Sequence, residues 1–229
     1  EIIEYIKPQE LSSELLKEIW YATQNSSVDV EVYVLRTDFP KFEHTIDKVR
    51  SMKINNLIQK DPSLDPKVLD VFKNVSSASQ MILRGGLSKT VVKRASAATY
   101  HMMNNLMDNE AAVGTLSRMI NIDPTLYDHS ASVAMFSGII ARQHLSHKVS
   151  EKEAFLLAKC GLYHDAGKSC IPNAVLNKPG KFTEEEFEII KTHTELGYKE
   201  IMKSIHRGAE IEDIVAKVAL EHHERFLGH

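Results

Sequence analysis

The chain has 229 residues, 43% of them hydrophobic, and a formal net charge of −3, enough apolar material for one large domain or two modest ones. A pI near 6.4 and dispersed Lys and Arg exclude the basic footprint of a nucleic-acid polymer binder. Two cysteines, Cys160 and Cys170, form neither a redox pair nor a disulfide framework, and no run of 18 apolar residues or signal peptide is present, so the expectation is a cytoplasmic protein with no membrane span. The first residue is Glu1 rather than Met, which reads as a trimmed start.

Residues 1–110 read as a smaller N-terminal region of mixed or helical structure, with a regulatory or partner-binding role expected from its position alone. "SSELLKEIWYA" (12–22) has helical composition, and "VDVEVYVLR" (28–36) alternates with the period of a strand. "KDPSLDPKVLD" is a turn that leads into a helical pattern over 66–82, which Gly85 and Gly86 break. Arg84, Lys89, Lys93 and Arg94 read as a solvated helix face.

Residues 111–229 read as a second domain with four amphipathic helical patterns. The first, about 125–145, aligns His129 with a stripe of Val133, Phe136 and Ile140. The second, about 151–165, carries Phe155, Ala158 and Leu162 and ends in His164 and Asp165. The third opens with Thr183 and Glu186 in capping-box spacing and runs on through Phe187, Ile190, His193 and Gly197. The fourth, about 210–223, places Ile211, Val215 and Val218 on the stripe that reaches His222.

One histidine on an apolar face is most often a hydrogen-bonded core residue. Here each of the four patterns presents one, beside an aspartate, and buried imidazole lone pairs need a partner that a divalent metal supplies. Nitrogen and carboxylate donors suit Fe, Mn, Zn or Co better than Ca or Mg. His222 and His223 lie about 100° apart on a helix, so two ions could use them separately, with Asp165 as the bridge. The chemistry expected of such a site is hydrolysis at a phosphoryl group, with Lys168 able to hold a phosphate oxygen. Lys178 and Lys181, in the following loop, read as surface lysines that could also reach substrate.

"YDHSASVA" around His129, "HDAGK" at 164–168, "IPNAVLNKPGKFTEEEFEIIKTHTELG" at 171–197 and "HHER" at 222–225 resemble the HD-GYP subgroup of the HD-domain metal-dependent phosphohydrolases. The resemblance covers about residue 120 to the end. It implies a mainly α fold, an HD-domain helical bundle, with a centre of two divalent transition metals, Fe or alternatively Mn. It also implies hydrolysis of cyclic di-GMP, to the linear dinucleotide or to GMP, and signalling partners. By motif, His129, His164, Asp165, His193, His222 and His223 would be metal ligands, with Asp165 bridging and catalytic, and Lys168 would contact substrate phosphate.

Three departures qualify the match. Family members with a third metal have a glutamate four residues before the first motif histidine, where this chain has Thr125, so two metals are expected. The motif continues after "HHER" in the family with an aromatic-Asp-Gly-x-Gly-Tyr-Pro run, whereas here Phe226, Leu227, Gly228 and His229 follow. A further family aspartate, some 30 residues on, has no counterpart in the sequence. These departures keep two alternatives open: a catalytically weak signalling or nucleotide-binding module, and a phosphohydrolase acting on another nucleotide.

Overall fold

A computed structural model describes residues 39–225, apart from 107, 108, 110, 123–127, 144, 146, 177 and 179. The described residues form α1 (Phe39–Lys60), α2 (Pro66–Gly85), α3 (Lys89–Leu106), α4 (Ala112–Ile122), α5 (His129–Gln143), α6 (Glu151–Tyr163), a 3₁₀ turn (Ala166–Cys170), α7 (Asn173–Leu176), α8 (Glu184–Lys191), α9 (His193–His206) and α10 (Asp213–Glu221). No strand occurs among them, in keeping with the expected helical bundle. The helix expected at 12–22 and the strand expected at 28–36 lie outside the described residues, as does Thr125.

Local chemistry sets the helix ends. The Asp65 carboxylate accepts the Lys67 amide at 2.8 Å, with Pro66 opening α2, and Gly86 closes the α2 end with φ +66, a left-handed value that an L side chain resists. The capping box expected at Thr183 and Glu186 is present at α8, and a second one at Ser150 and Glu153 starts α6. The pattern read as one helix through 183–197 is interrupted at Thr192, whose hydroxyl donates to the Ile189 carbonyl at 2.7 Å. That local bond competes with the helical ladder.

α5 packs on α6, α2 on α3, α9 on α10, and the 3₁₀ turn touches both α2 and α9. Leu69, Phe72, Met102, Leu116, Met135 and Ile139 are all within the buried core. By contact the chain divides into Glu1–Ile46 and Asp47–His229. Within the second unit α2 and α3 bury their apolar faces against α5 and α6 and so supply part of the core under the site.

α5 turns inward a different face from the stripe expected of it. Val133 and Phe136 are half-buried and Ile140 is 47% exposed, whereas Ala131, Ala134, Met135, Gly138 and Ile139 are buried. Small residues face α6 because the two backbones nearly touch: a Cβ on Gly161 would stand 2.9 Å from both N and Cα of Ala134. Phe187, expected on the apolar side of the third pattern, is likewise 50% exposed. Gly161→Ala must push α5 and α6 apart, at a cost of about 1–3 kcal/mol. Urea denaturation is expected to show a lowered midpoint with an unchanged slope.

Candidate metal centre

Three histidines reach the site by one local device. His164 caps the C-terminal end of α6 and His222 that of α10, while His193 follows Thr192, the cap of α8. Each ring places Nδ1 on the carbonyl three residues back: His164 on Gly161 at 2.7 Å, His193 on Ile190 at 2.6 Å and His222 on Ala219 at 3.0 Å. The last carbonyls of a helix lack partners within it. A carbonyl only accepts, so Nδ1 carries the proton and Nε2 of the neutral ring presents its lone pair.

Those lone pairs converge on Asp165, whose side chain is 5% exposed. Oδ1 lies 3.4 Å from His193 Nε2 and 3.7 Å from His222 Nε2. Oδ2 lies 3.2 Å from His164 Nε2 and 3.8 Å from His129 Nε2. The two carboxylate oxygens thus serve different histidine sets. His193, His222 and His223 form one group with potential ligand atoms within 4.8 Å of one another, and His129, His164 and Asp165 form the other.

His129 occupies the rim, with 52% of its side chain exposed, so it is not on the buried face expected for it. It begins α5, whose start is fixed by Asp128: Oδ1 accepts the Ala131 amide at 3.0 Å, and Oδ2 accepts the Ser76 hydroxyl at 3.0 Å. This N-cap ties the first residue of α5 to α2. His223 stands with its ring centroid 4.2 Å from that of His222 and 5.1 Å from that of His193.

The donor set fits a divalent transition metal. His193 Nε2 and His222 Nε2 are 3.3 Å apart, two acceptors facing each other beside a carboxylate oxygen. A shared proton does not resolve this near neutrality, because burial pushes His222 down from the ordinary 6.5 to about 4. Burial also lowers His193 and His129. At Asp165 burial opposes the charge, but the hydrogen bonds and charges around it, the Lys168 ammonium among them, outweigh it and hold the carboxyl well below the usual range. Histidines shifted toward the neutral ring at 129, 193 and 222, beside a carboxylate held ionised, are the protonation states that metal binding requires. Three helix C-termini also aim their partial negative charge at the same point.

Comparison with known proteins agrees with this geometry. The HD domain family model matches residues 126–229. A cyclic di-GMP phosphodiesterase of Pseudomonas aeruginosa is 34% identical over 117 residues, 51% of this chain and 27% of the relative's length. Another, of Thermotoga maritima, is 38% identical over 106 residues, 46% of this chain and 27% of the relative's length. The likeness is therefore to HD-domain proteins over residues 126–229 and, within that part, to cyclic di-GMP phosphodiesterases. The match to a 3'3'-cGAMP-specific phosphodiesterase of Vibrio cholerae extends further, 27% identical over 169 residues, 72% of this chain and 35% of the relative's length. The chain therefore spans about a third or less of the length of these relatives. No solved structure matches it.

Lys168 donates to Asp165 Oδ2 at 2.7 Å with its side chain 31% exposed, so it sits at the mouth with its ammonium on the shared carboxylate. Lys178 instead binds Glu186 Oε2 at 2.6 Å, and the same oxygen accepts the Thr183 amide. This joins the loop to the start of α8. Lys181 is exposed, and no contact brings it to the cluster. Unread in the sequence were the three carbonyl partners, the Asp128 cap and a glycine contact: a Cβ on Gly167 would stand 1.9 Å from the His193 carbonyl oxygen and 2.4 Å from the Gly197 nitrogen. Two glycines, each one helical turn or less from a ligand, were the available signal.

Two outcomes follow for the metal-free protein. Between pH 6.5 and about 4 the unfolded chain protonates His222 while the folded chain does not, so stability falls as pH drops through this window and is insensitive to this group above it. Thermal melts in chelator are expected to show that slope, reduced by His222→Gln. Gly167→Ala, by displacing the turn from α9, is expected to lower metal affinity at least tenfold, of the order seen when the partners that orient ligands are lost, as read by metal-competition titration.

Proposed function

We propose that this chain is the metal-holding part of a phosphodiesterase that hydrolyses cyclic di-GMP. The observation that carries the reading is the split of Asp165 between two histidine groups whose lone pairs converge with no proton to share. His129, His164 and Asp165 would hold one ion and His193, His222, His223 and Asp165 the other, with Fe favoured and Mn the alternative by resemblance. Ions bound there would activate water and neutralise charge developing on a phosphodiester.

The chain's own residues do the rest. The carbonyls of Gly161, Ile190 and Ala219 hold three rings in the required tautomer. Lys168, at the mouth, is placed to take a non-bridging phosphate oxygen, and its bond to Asp165 keeps the ammonium aimed at the centre. Direct substrate contact by Lys178 and Lys181 receives less support: Lys178 is committed to Glu186. The cytoplasmic setting and a partner-binding role for the N-terminal part, of which Glu1–Ile46 is separate by contact, belong to this proposal. Among the described residues no helix is long and apolar enough to cross a membrane.

A second reading, hydrolysis of 3'3'-cGAMP, is favoured by a relative whose match extends over 72% of the chain. A third, a metal-containing module of weak turnover, is favoured by the run Phe226-Leu227-Gly228-His229 after "HHER".

The test is anaerobic incubation of Fe- or Mn-loaded protein with each cyclic dinucleotide, followed by chromatography, beside Asp165→Ala and Lys168→Ala. Linear dinucleotide or GMP is expected from cyclic di-GMP with the intact protein. Asp165→Ala should retain neither metal nor activity. Lys168→Ala should keep both metals and lose about 10²-fold or more in turnover, the scale of one charge-stabilising group. Bound nucleotide without product from fully metallated protein would move the assignment to the third reading.

A further inference from the structure

Lys159, in the middle of α6, is the buried charge the proposed chemistry does not use. Its side chain is 3% exposed, and Nζ donates to Glu212 Oε2 at 2.7 Å and to the Glu210 carbonyl at 3.0 Å. Glu212 is the residue at the N-terminal boundary of α10, where its side chain makes no capping bond to the helix. The pair therefore joins the body of α6 to the first turn of α10.

Stability alone gives no reason for this arrangement. Burying an ammonium costs several kcal/mol, and an apolar side chain of similar volume is often neutral or better. The ammonium supplies direction: two acceptors on one short segment specify where α10 begins relative to α6. The apolar contacts are less selective. The buried face of α10 is Val215, Ala216 and Ala219, a shallow surface, and a Cβ on Gly197 would meet the Ala219 Cβ at 3.5 Å.

Both joined helices end in ligands. His164 caps α6 five residues beyond Lys159, about 7.5 Å along the axis, and His222 caps α10 ten residues beyond Glu212, about 15 Å along it, at 1.5 Å per residue. α10 is a rod anchored at one end by the ion pair, with a metal group at the other. A shift at Glu212 is carried to His222 and His223, whereas His129 and Asp165 are held by other bonds.

We propose that Lys159 is a positioning residue of the metal centre: its contacts with Glu212 and the Glu210 carbonyl set the register of α10 against α6, and thereby the fit of the His193, His222 and His223 group around its ion. This rests on the metal-centre reading above.

The experiment is titration of Co²⁺ into metal-free full chain, following ions bound and their ligand-field absorption, together with the thermal midpoint. Variants are Lys159→Met, the double variant Lys159→Met/Glu212→Gln, which removes both charges, Lys159→Arg, which keeps the cation, and His222→Ala to identify the second ion's signal. The intact protein is expected to take up two ions. The double variant should melt close to the intact protein, keep the first ion, and bind the ion identified by His222→Ala about tenfold or more weakly with an altered spectrum, while Lys159→Arg retains it. Two ions bound by the double variant with unchanged affinity and spectrum would overturn the role of Lys159 and leave the metal centre intact. Equal weakening of both ions in step with a lowered melting point would overturn it in favour of a general structural role. No Co²⁺ uptake by the intact protein would overturn the metal-centre reading, and the inference with it.

Discussion

The structure of this site depends on one hydrogen bond used three times, from a histidine Nδ1–H to a carbonyl at a helix C-terminus. The bond satisfies an acceptor the helix leaves open, fixes the ring tautomer, and turns the other nitrogen away from the helix axis. Repeated on α6, α8 and α10, it converts the ends of three unremarkable helices into three aimed lone pairs. Everything else in the fold can be understood as bringing those ends within reach of one carboxylate.

Small residues do that work. Gly161 lets α5 lie on α6, and Gly167 lets the 3₁₀ turn lie on α9. With side chains at either place the helices would still form, but their ends would miss one another. The centre is thus a product of backbone proximity more than of side-chain reach, and the ligands are short and nearly rigid because the backbone has already covered the distance.

Much of this was legible in the sequence, and unevenly so. The helical period, the capping box at Thr183 and the recurrence of histidine in successive patterns are local signals, and the motifs at His129, His164–Lys168, His193 and His222–His223 are brought together by the fold. The inward face of α5 was not legible, because hydropathy favours Val133, Phe136 and Ile140 while close packing selects Ala134 and Gly138. α1 and α4 were passed over, and of α3 only the solvated face at Lys89, Lys93 and Arg94 was read, although the helix buries Val92, Ala95, Thr99, Met102 and Leu106 at helical spacing. Lys159 looked like any lysine, since its partners stand 51 and 53 residues away.

α8 has no buried residue, and an eight-residue helix is marginal without tertiary support. Yet its Ile190 carbonyl orients His193. Fraying of α8 and loss of the ion are therefore linked: an ion that needs the oriented ring must suppress local opening of α8, and a contact that strengthens α8 raises affinity for the ion in proportion to the gain in the fraction of α8 that is formed. A helix with no buried residue is in this way a tuning peg for chemistry held in the interior.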